Sequence, residues 1–138
     1  MTGYLSSVYD TPLFIKKVNQ VARKINAFRK HNQVDAIAFT GHSGSAFAYA
    51  LSYKLGIPLI CIRKKPDKSH YSSFYEGRTN VRKYIIVDDF IETGKTLDRI
   101  RQDVKFRSPN AKLLAIFLYG GNDDKDNWKG IPVFDLTW

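Results

Sequence analysis

Asp88 and Asp89 stand between a run of β-prone residues and a Thr93-Gly94-Lys95-Thr96 turn in the stretch YIIVDDFIETGKTL, Tyr84 to Leu97. A turn of that composition entering a helix suits an anion. A helix start presents unpaired backbone N–H groups and the positive end of the helix dipole. Gly94 lets the backbone come close to a ligand, and the hydroxyls of Thr93 and Thr96 can donate to phosphate oxygens. The P-loop shares the Gly-Lys-Thr tail, but its spacing, G-x-x-x-x-G-K-S/T, requires glycine at position 89, where this chain has Asp89. Two carboxylates beside a phosphate would repel it unless they addressed something else. Vicinal sugar hydroxyls, with a magnesium ion alongside, fit that role, because carboxylates accept from both hydroxyls at once. A phosphate on one side and a diol on the other describe a 5-phosphoribosyl group.

The pattern around this stretch supplies elements able to position it. Asp10-Thr11-Pro12 reads as a helix start, with a capping side chain and a proline in the first turn. Phe14, Val18, Val21, Ile25 and Phe28 then recur at helical spacing and mark a buried face. VDAIAF (Val34–Phe39) reads as a first strand, TGHSG as a glycine-containing turn, and SAFAYALSYKL (Ser45–Leu55) as a helix stopped by Gly56. IPLICIR is a second strand, apolar on both faces as in a sheet covered on each side. Residues 64–80 form a long polar loop, a length that is functional or disordered in compact domains. KYIIVDD is a third strand, and Leu97, Ile100 and Val104 mark the buried side of the next helix. AKLLAIFLY is a fourth strand, and IPVFDL a short last one after the polar loop GGNDDKDNWKG. The class is therefore α/β with a mainly parallel sheet. Ligands of such sheets bind at the carboxyl ends of the strands, where TGHSG, residues 64–80 and DDFIETGKT all fall.

Composition limits the setting. At 138 residues the chain fits one domain, and its 43% hydrophobic content can fill a core. No apolar run reaches the roughly 20 residues that a membrane helix needs. The first residues lack the pattern of a signal peptide, and the single cysteine, Cys61, allows no internal disulfide, so a cytoplasmic location is expected. Cys61 sits in an apolar run, where a thiol packs rather than attacks. The net charge of +9 suits an anionic partner or simple solubility. The basic residues are scattered and accompany no nucleic-acid-binding signature.

YIIVDDFIETGKT resembles the motif with which type I phosphoribosyltransferases bind 5-phosphoribosyl pyrophosphate (PRPP): a hydrophobic strand, two acids, two mostly apolar residues, one variable residue, then Thr-Gly-x-Thr. The resemblance extends over Val34 to Tyr119. It implies a parallel, twisted sheet flanked by helices, in a single domain with a small hood built from residues 1–10 and 120–138. It also implies Asp88 and Asp89 on the ribose hydroxyls and, through the ribose or water, near Mg²⁺. Glu92, Thr93, Gly94, Lys95 and Thr96 would surround the 5′-phosphate. FTGHSGSA takes the place of the family's pyrophosphate loop, so Thr40, Gly41, His42, Ser43 and Gly44 are its candidate contacts. Many members carry Arg-Gly or Lys-Gly there, and His42-Ser43 leaves the charge of that site open.

IRKK followed by SHYSSFYEG resembles the adenine-type branch, implying Arg63 and Lys64 near pyrophosphate and a lid over residues 64–80. Tyr75-Glu76-Gly77 departs from that branch's Glu-Tyr-Gly order. Glu92 matches an acid that manages a purine nitrogen's proton in the hypoxanthine–guanine branch; capping the next helix is its alternative role. That branch places a lysine where this chain has Tyr119. Trp128, Ile131, Phe134 and Trp138 are the hood candidates for the base, with core packing as the alternative for Phe134 and Trp138. The implied activity is Mg²⁺-dependent transfer of 5-phosphoribosyl from PRPP to a nucleobase, a purine being favoured, with release of pyrophosphate. The resemblance also implies a homodimer acting in purine salvage. A silent member that binds PRPP or a nucleotide as a regulator, and a basic nucleic-acid-binding module on the same scaffold, are the alternative functions.

Overall fold

The computed structural model of the chain describes residues 9–63, 75–120 and 126–136; of His42 and Ser43 only the backbone is described. Helix α1 (Thr11–Arg29) starts as its residues dictate: the Asp10 carboxylate accepts from the Leu13 N–H at 3.3 Å, and Pro12 lies in the first turn. Val18, Val21, Ala22 and Ile25 form its buried stripe. At its far end the Arg29 guanidinium donates to the Leu55 carbonyl at 3.1 Å, satisfying an orphan acceptor at the end of helix α2 (Gly41–Leu55). Gly56, at φ +69°, closes α2 in the left-handed conformation that glycine adopts without strain.

The strands are β1 (Ala36–Phe39), β2 (Leu59–Ile62), β3 (Tyr75–Gly77), β4 (Lys83–Asp88), β5 (Lys112–Leu118), β6 (Asn127–Trp128) and β7 (Ile131–Asp135). They lie in the order β3-β2-β1-β4-β5-β7-β6. The inner strands β2, β1, β4, β5 and β7 pair in parallel, and the edges β3 and β6 pair antiparallel with their neighbours. The expected α/β fold with a mainly parallel sheet is the fold observed.

Side chains alternate across the sheet with the period of two that a pleated strand imposes. Ile85 and Val87 of β4 face α1 and α2, where Val21, Ile25, Phe47, Leu51 and Phe117 complete one core layer. Tyr84 and Ile86 face helix α3 (Lys95–Arg107), whose Leu97, Ile100 and Val104 complete the other.

Three boundaries differ from expectation. TGHSG is not a turn: α2 already begins at Gly41, and Thr40 is its N-cap. Gly44 is inside the helix because a Cβ there would stand only 3.1 Å from the Phe39 Cβ and 3.4 Å from the Val87 carbonyl; its missing side chain lets α2 start tight against the sheet. Strand β1 starts at Ala36 rather than Val34, with Asp35 turned to clamp β4: its carboxylate accepts from the Lys83 N–H at 2.9 Å. The segment expected to be a long loop contains β3, although its residues 64–74 lie outside the described part.

The connections place the site. From β1 the chain passes through α2 to β2 on one side, and from β4 through α3 to β5 on the other. β1 and β4 are neighbours, so the crevice between their carboxyl ends is the topological switch point, where open α/β sheets bind ligands. Both α2 and α3 begin there.

Candidate functional site

Asp88 ends β4, buried, and Asp89 follows it half-buried. Each carboxylate accepts from the next backbone N–H, Asp88 from Asp89 at 2.9 Å and Asp89 from Phe90 at 2.8 Å. The backbone of the pair is held from the neighbouring strand end: the N–H groups of Tyr119 and Gly120 donate to the carbonyls of Asp88 (3.1 Å) and Asp89 (2.7 Å). A Cβ on Gly120 would lie 2.5 Å from the Asp89 carbonyl oxygen, so only glycine permits that approach. The acid pair is thereby fixed in position before any ligand arrives.

The next turn leads into α3 with Gly94 as N-cap at φ +84° and no side-chain cap. The first intrahelical bond runs from the Asp98 N–H to the Gly94 carbonyl at 2.9 Å, and the Thr93 hydroxyl accepts from the Lys95 N–H at 3.3 Å. The other N–H groups of the first turn have no intrahelical acceptor by the geometry of a helix. An oxyanion seated there would meet those amides, the positive end of α3, the exposed Lys95 and the Thr93 and Thr96 hydroxyls. Glu92, exposed, stands at the mouth of the same turn.

Across the crevice, α2 also starts without a side-chain cap. The Thr40 hydroxyl turns aside instead, donating to the Ile62 carbonyl at 2.5 Å and accepting from the Arg99 guanidinium at 3.3 Å. Its hydroxyl thus ties β1 to the end of β2 and to α3, while Gly41, His42, Ser43 and Gly44 form the first turn of α2. Arg99 was missed as a site residue. Its Nε is buried without a partner among the described residues, and it brings a cation from α3 to the end of β1. Position 99 lies beside the inward stripe of α3, and nothing local in the sequence announces so distant a contact.

At the end of β2, Arg63 makes an exposed ion pair with Glu76 of β3 at 3.1 Å, so a pyrophosphate would have to compete for it. Lys64 and most of the expected lid lie outside the described residues. Cys61 is half-buried; burial, reinforced by Glu76 and opposed by Arg63, pushes its thiol up, which disfavours a nucleophilic thiolate.

Of the hood candidates, Phe134 takes the core-packing role that was its alternative, and the side chains of Trp128 and Ile131 also lie in a core layer. Phe134 stacks on Phe117 with ring centroids 4.9 Å apart and meets the edge of Phe28 at 5.9 Å, inside the α1 core layer. Ile131 packs against the α3 layer. Tyr119 is buried and stacked on Phe47 at 3.7 Å. Trp128 is 8% exposed and belongs to the α3 layer, against the Gly94 corner. Strand alternation in β6 and β7 turns the rings of Trp128 and Phe134 into opposite core layers. Trp138 and most of the expected hood, residues 1–8, 121–125 and 137–138, lie outside the described part.

Two carboxylates beside a turn able to seat an oxyanion are hard oxygen donors that could hold a magnesium ion together with oxygens of a ligand. No cluster of three or more potential metal ligands occurs among the described residues. No helix among them is long and apolar enough to cross a membrane.

A family model described as PRTase-CE matches residues 2–134. The chain is 37% identical over 94 residues to the adenine phosphoribosyltransferase of Treponema denticola, covering 56% of this chain and 49% of that protein. It is 33% identical over 110 residues to the orotate phosphoribosyltransferase of Cutibacterium acnes, covering 77% and 51%. The chain thus spans about half the length of each of these relatives. The crystal structure of adenine phosphoribosyltransferase from Thermoanaerobacter pseudethanolicus superposes with a TM-score of 0.69 at 20% identity, covering 94% of this chain and 82% of that one.

Proposed function

The chain belongs to the PRTase-CE family, among the type I phosphoribosyltransferases, and on that premise we propose that it transfers the 5-phosphoribosyl group of PRPP to a nucleobase, a purine in the first instance. One observation carries the reading: a clamped acid pair at the switch point lies between two helix starts whose N-cap residues make no side-chain cap. That is the charge pattern of PRPP, with a diol flanked by an anion on either side.

In this reading the amides at the start of α3, with Thr93, Lys95 and Thr96, bind the 5′-phosphate. Asp88 and Asp89 accept from the ribose hydroxyls. The backbone of Gly41–Gly44 and the start of α2 receive the pyrophosphate, with Arg99 and Arg63 supplying positive charge nearby. A nucleobase nitrogen displaces pyrophosphate from the anomeric carbon, so the chain needs no nucleophile of its own. Its residues act by alignment and by electrostatics, the two carboxylates stabilising positive charge that develops on the sugar. Glu92 takes or returns the proton of the attacking base nitrogen. Mg²⁺, when bound, neutralises charge on the pyrophosphate oxygens, and Asp88 and Asp89 are the residues that would hold it.

The purine assignment rests on the adenine-like IRKK segment and on relatives such as the Treponema denticola enzyme; the orotate enzyme keeps a pyrimidine within the test. The experiment is pyrophosphate release from PRPP and Mg²⁺ with adenine, hypoxanthine, guanine, xanthine, uracil and orotate. Turnover with a purine is the expected result. A second reading, a PRPP-binding regulator without turnover, is favoured by the inward commitment of Thr40 and the pairing of Arg63 with Glu76. Calorimetric PRPP binding with no turnover on any base would select it, and absence of both would overturn both readings.

A further inference from the structure

Tyr84 stands near the start of β4, Lys112 and Leu113 open β5, and Ile131 opens β7, all at the sheet edge opposite the crevice. These strand starts and the second half of α3 line a cavity of about 320 Å³. That volume lies within the range of small-molecule sites, about 300–1,000 Å³. Tyr84 is four residues before Asp88, about 13 Å along the strand at roughly 3.3 Å per residue, so this cavity is separate from the crevice.

Its lining is apolar below and cationic at the rim. Ala111, Leu113, Ile131 and the buried Tyr84 supply the apolar part. Arg101 and Lys105, one turn apart on one face of α3, and Lys112 of β5 supply three positive charges. Asp98 also lines the cavity, but its carboxylate is taken by Lys129 at 2.7 Å. None of the three cations makes an ion pair among the described residues. Like charges one turn apart on a helix repel each other, a third beside them adds to the repulsion, and an anion would relieve it. Arg101 is steadied by the Trp128 ring, its guanidinium 5.6 Å from the centroid. Burial pushes the Tyr84 hydroxyl up, opposed by Arg101 and reinforced by Tyr75, so it stays a protonated donor.

We propose that this cavity is a second ligand site, for a nucleotide-sized organic phosphate: the phosphate meets Arg101, Lys105, Lys112 and the Tyr84 hydroxyl, and a flat apolar part covers Leu113 and Ile131. The inference goes beyond the PRPP reading and does not depend on it. A nucleic-acid strand fits less well, because these cations gather at one cavity rather than track along a groove.

The test uses the whole chain with ¹³C-labelled isoleucine and leucine methyl groups, the Ile131 and Leu113 signals being assigned with I131V and L113I. AMP is the probe, and adenosine and inorganic phosphate are its controls. AMP should move both signals saturably, and each control should bind at least about tenfold more weakly, having lost either the charged contacts or the apolar ones. The movement should persist in Asp88→Asn with Asp89→Asn, which separates this cavity from the crevice. Lys105→Met with Lys112→Met, both exposed, should weaken AMP about tenfold, and Tyr84→Phe by a similar factor, the usual effect of losing hydrogen bonds to a charged group. Signals that stay in place as AMP is added, or that move only while the acid pair is intact, overturn the inference and leave the PRPP reading untouched. Movement with an oligonucleotide but not with AMP overturns it in favour of a nucleic-acid face. Unchanged AMP affinity in the lysine double variant overturns it too, and that variant alters no buried group.

Discussion

The acid pair with its helix-start turn and the expected base hood are built in different ways. The corner comes from one continuous stretch, Asp88 to Leu97, so residue types at short spacing determine both its chemistry and its shape. The hood was assembled from three aromatic residues and Ile131, picked by type near the end of the chain. Three of its four members, Trp128, Ile131 and Phe134, prove to be packed into the two core layers. A carboxylate or a glycine turn at a strand end has few structural reasons to be there, whereas an aromatic residue always has the core as an alternative. Chemistry carried by contiguous polar residues is therefore the more legible of the two.

Variants can break or sharpen this contrast. The largest effect is expected from Asp88→Asn with Asp89→Asn. Asparagine keeps an acceptor for the Asp89 and Phe90 amides but loses the charge, so PRPP affinity should fall roughly 100-fold or more, about 3 kcal/mol, while the melting temperature changes little. Calorimetry and thermal melting separate the two quantities. Unchanged affinity in that double variant would remove the ribose assignment.

Phe134→Ala should do the converse. Loss of a partly buried ring stacked on Phe117 should cost about 2–3 kcal/mol of stability, measurable by urea unfolding, and leave PRPP affinity of the folded protein within about twofold. A selective loss of base affinity with normal stability would return Phe134 to the hood.

Gly94→Ala lies between these extremes. It forces a side chain into a left-handed residue and against Trp128, so it should cost about 1–2 kcal/mol in stability and weaken ribose 5-phosphate binding in proportion to the displaced turn. The smallest effect is predicted for Lys129→Met. Its ion pair with Asp98 is largely exposed, so stability should change by less than about 0.5 kcal/mol in unfolding experiments.

Much of the fold was readable because each local signal agreed with the others. Asp10 and Pro12 mark the start of α1, Gly56 the end of α2, and apolar runs flanked by polar loops mark the parallel strands. The TGHSG segment misled because glycine usually signals a turn, and here Gly44 serves close packing of a helix on Phe39 and Val87. Arg99 was unreadable as a candidate for a different reason. Its contact runs across the sheet to Thr40, and no spacing along the chain encodes it. The short antiparallel edges β3 and β6 were equally silent, since strands of three and two residues leave no periodic pattern to detect.

The central claim is that one corner of the sheet holds a phosphorylated sugar, and a crystal structure of the chain with PRPP and Mg²⁺ tests it most directly. The account predicts the 5′-phosphate on the first amides of α3 and the ribose hydroxyls on Asp88 and Asp89. A complex with the ligand bound elsewhere, and those two carboxylates touching no part of it, would contradict it.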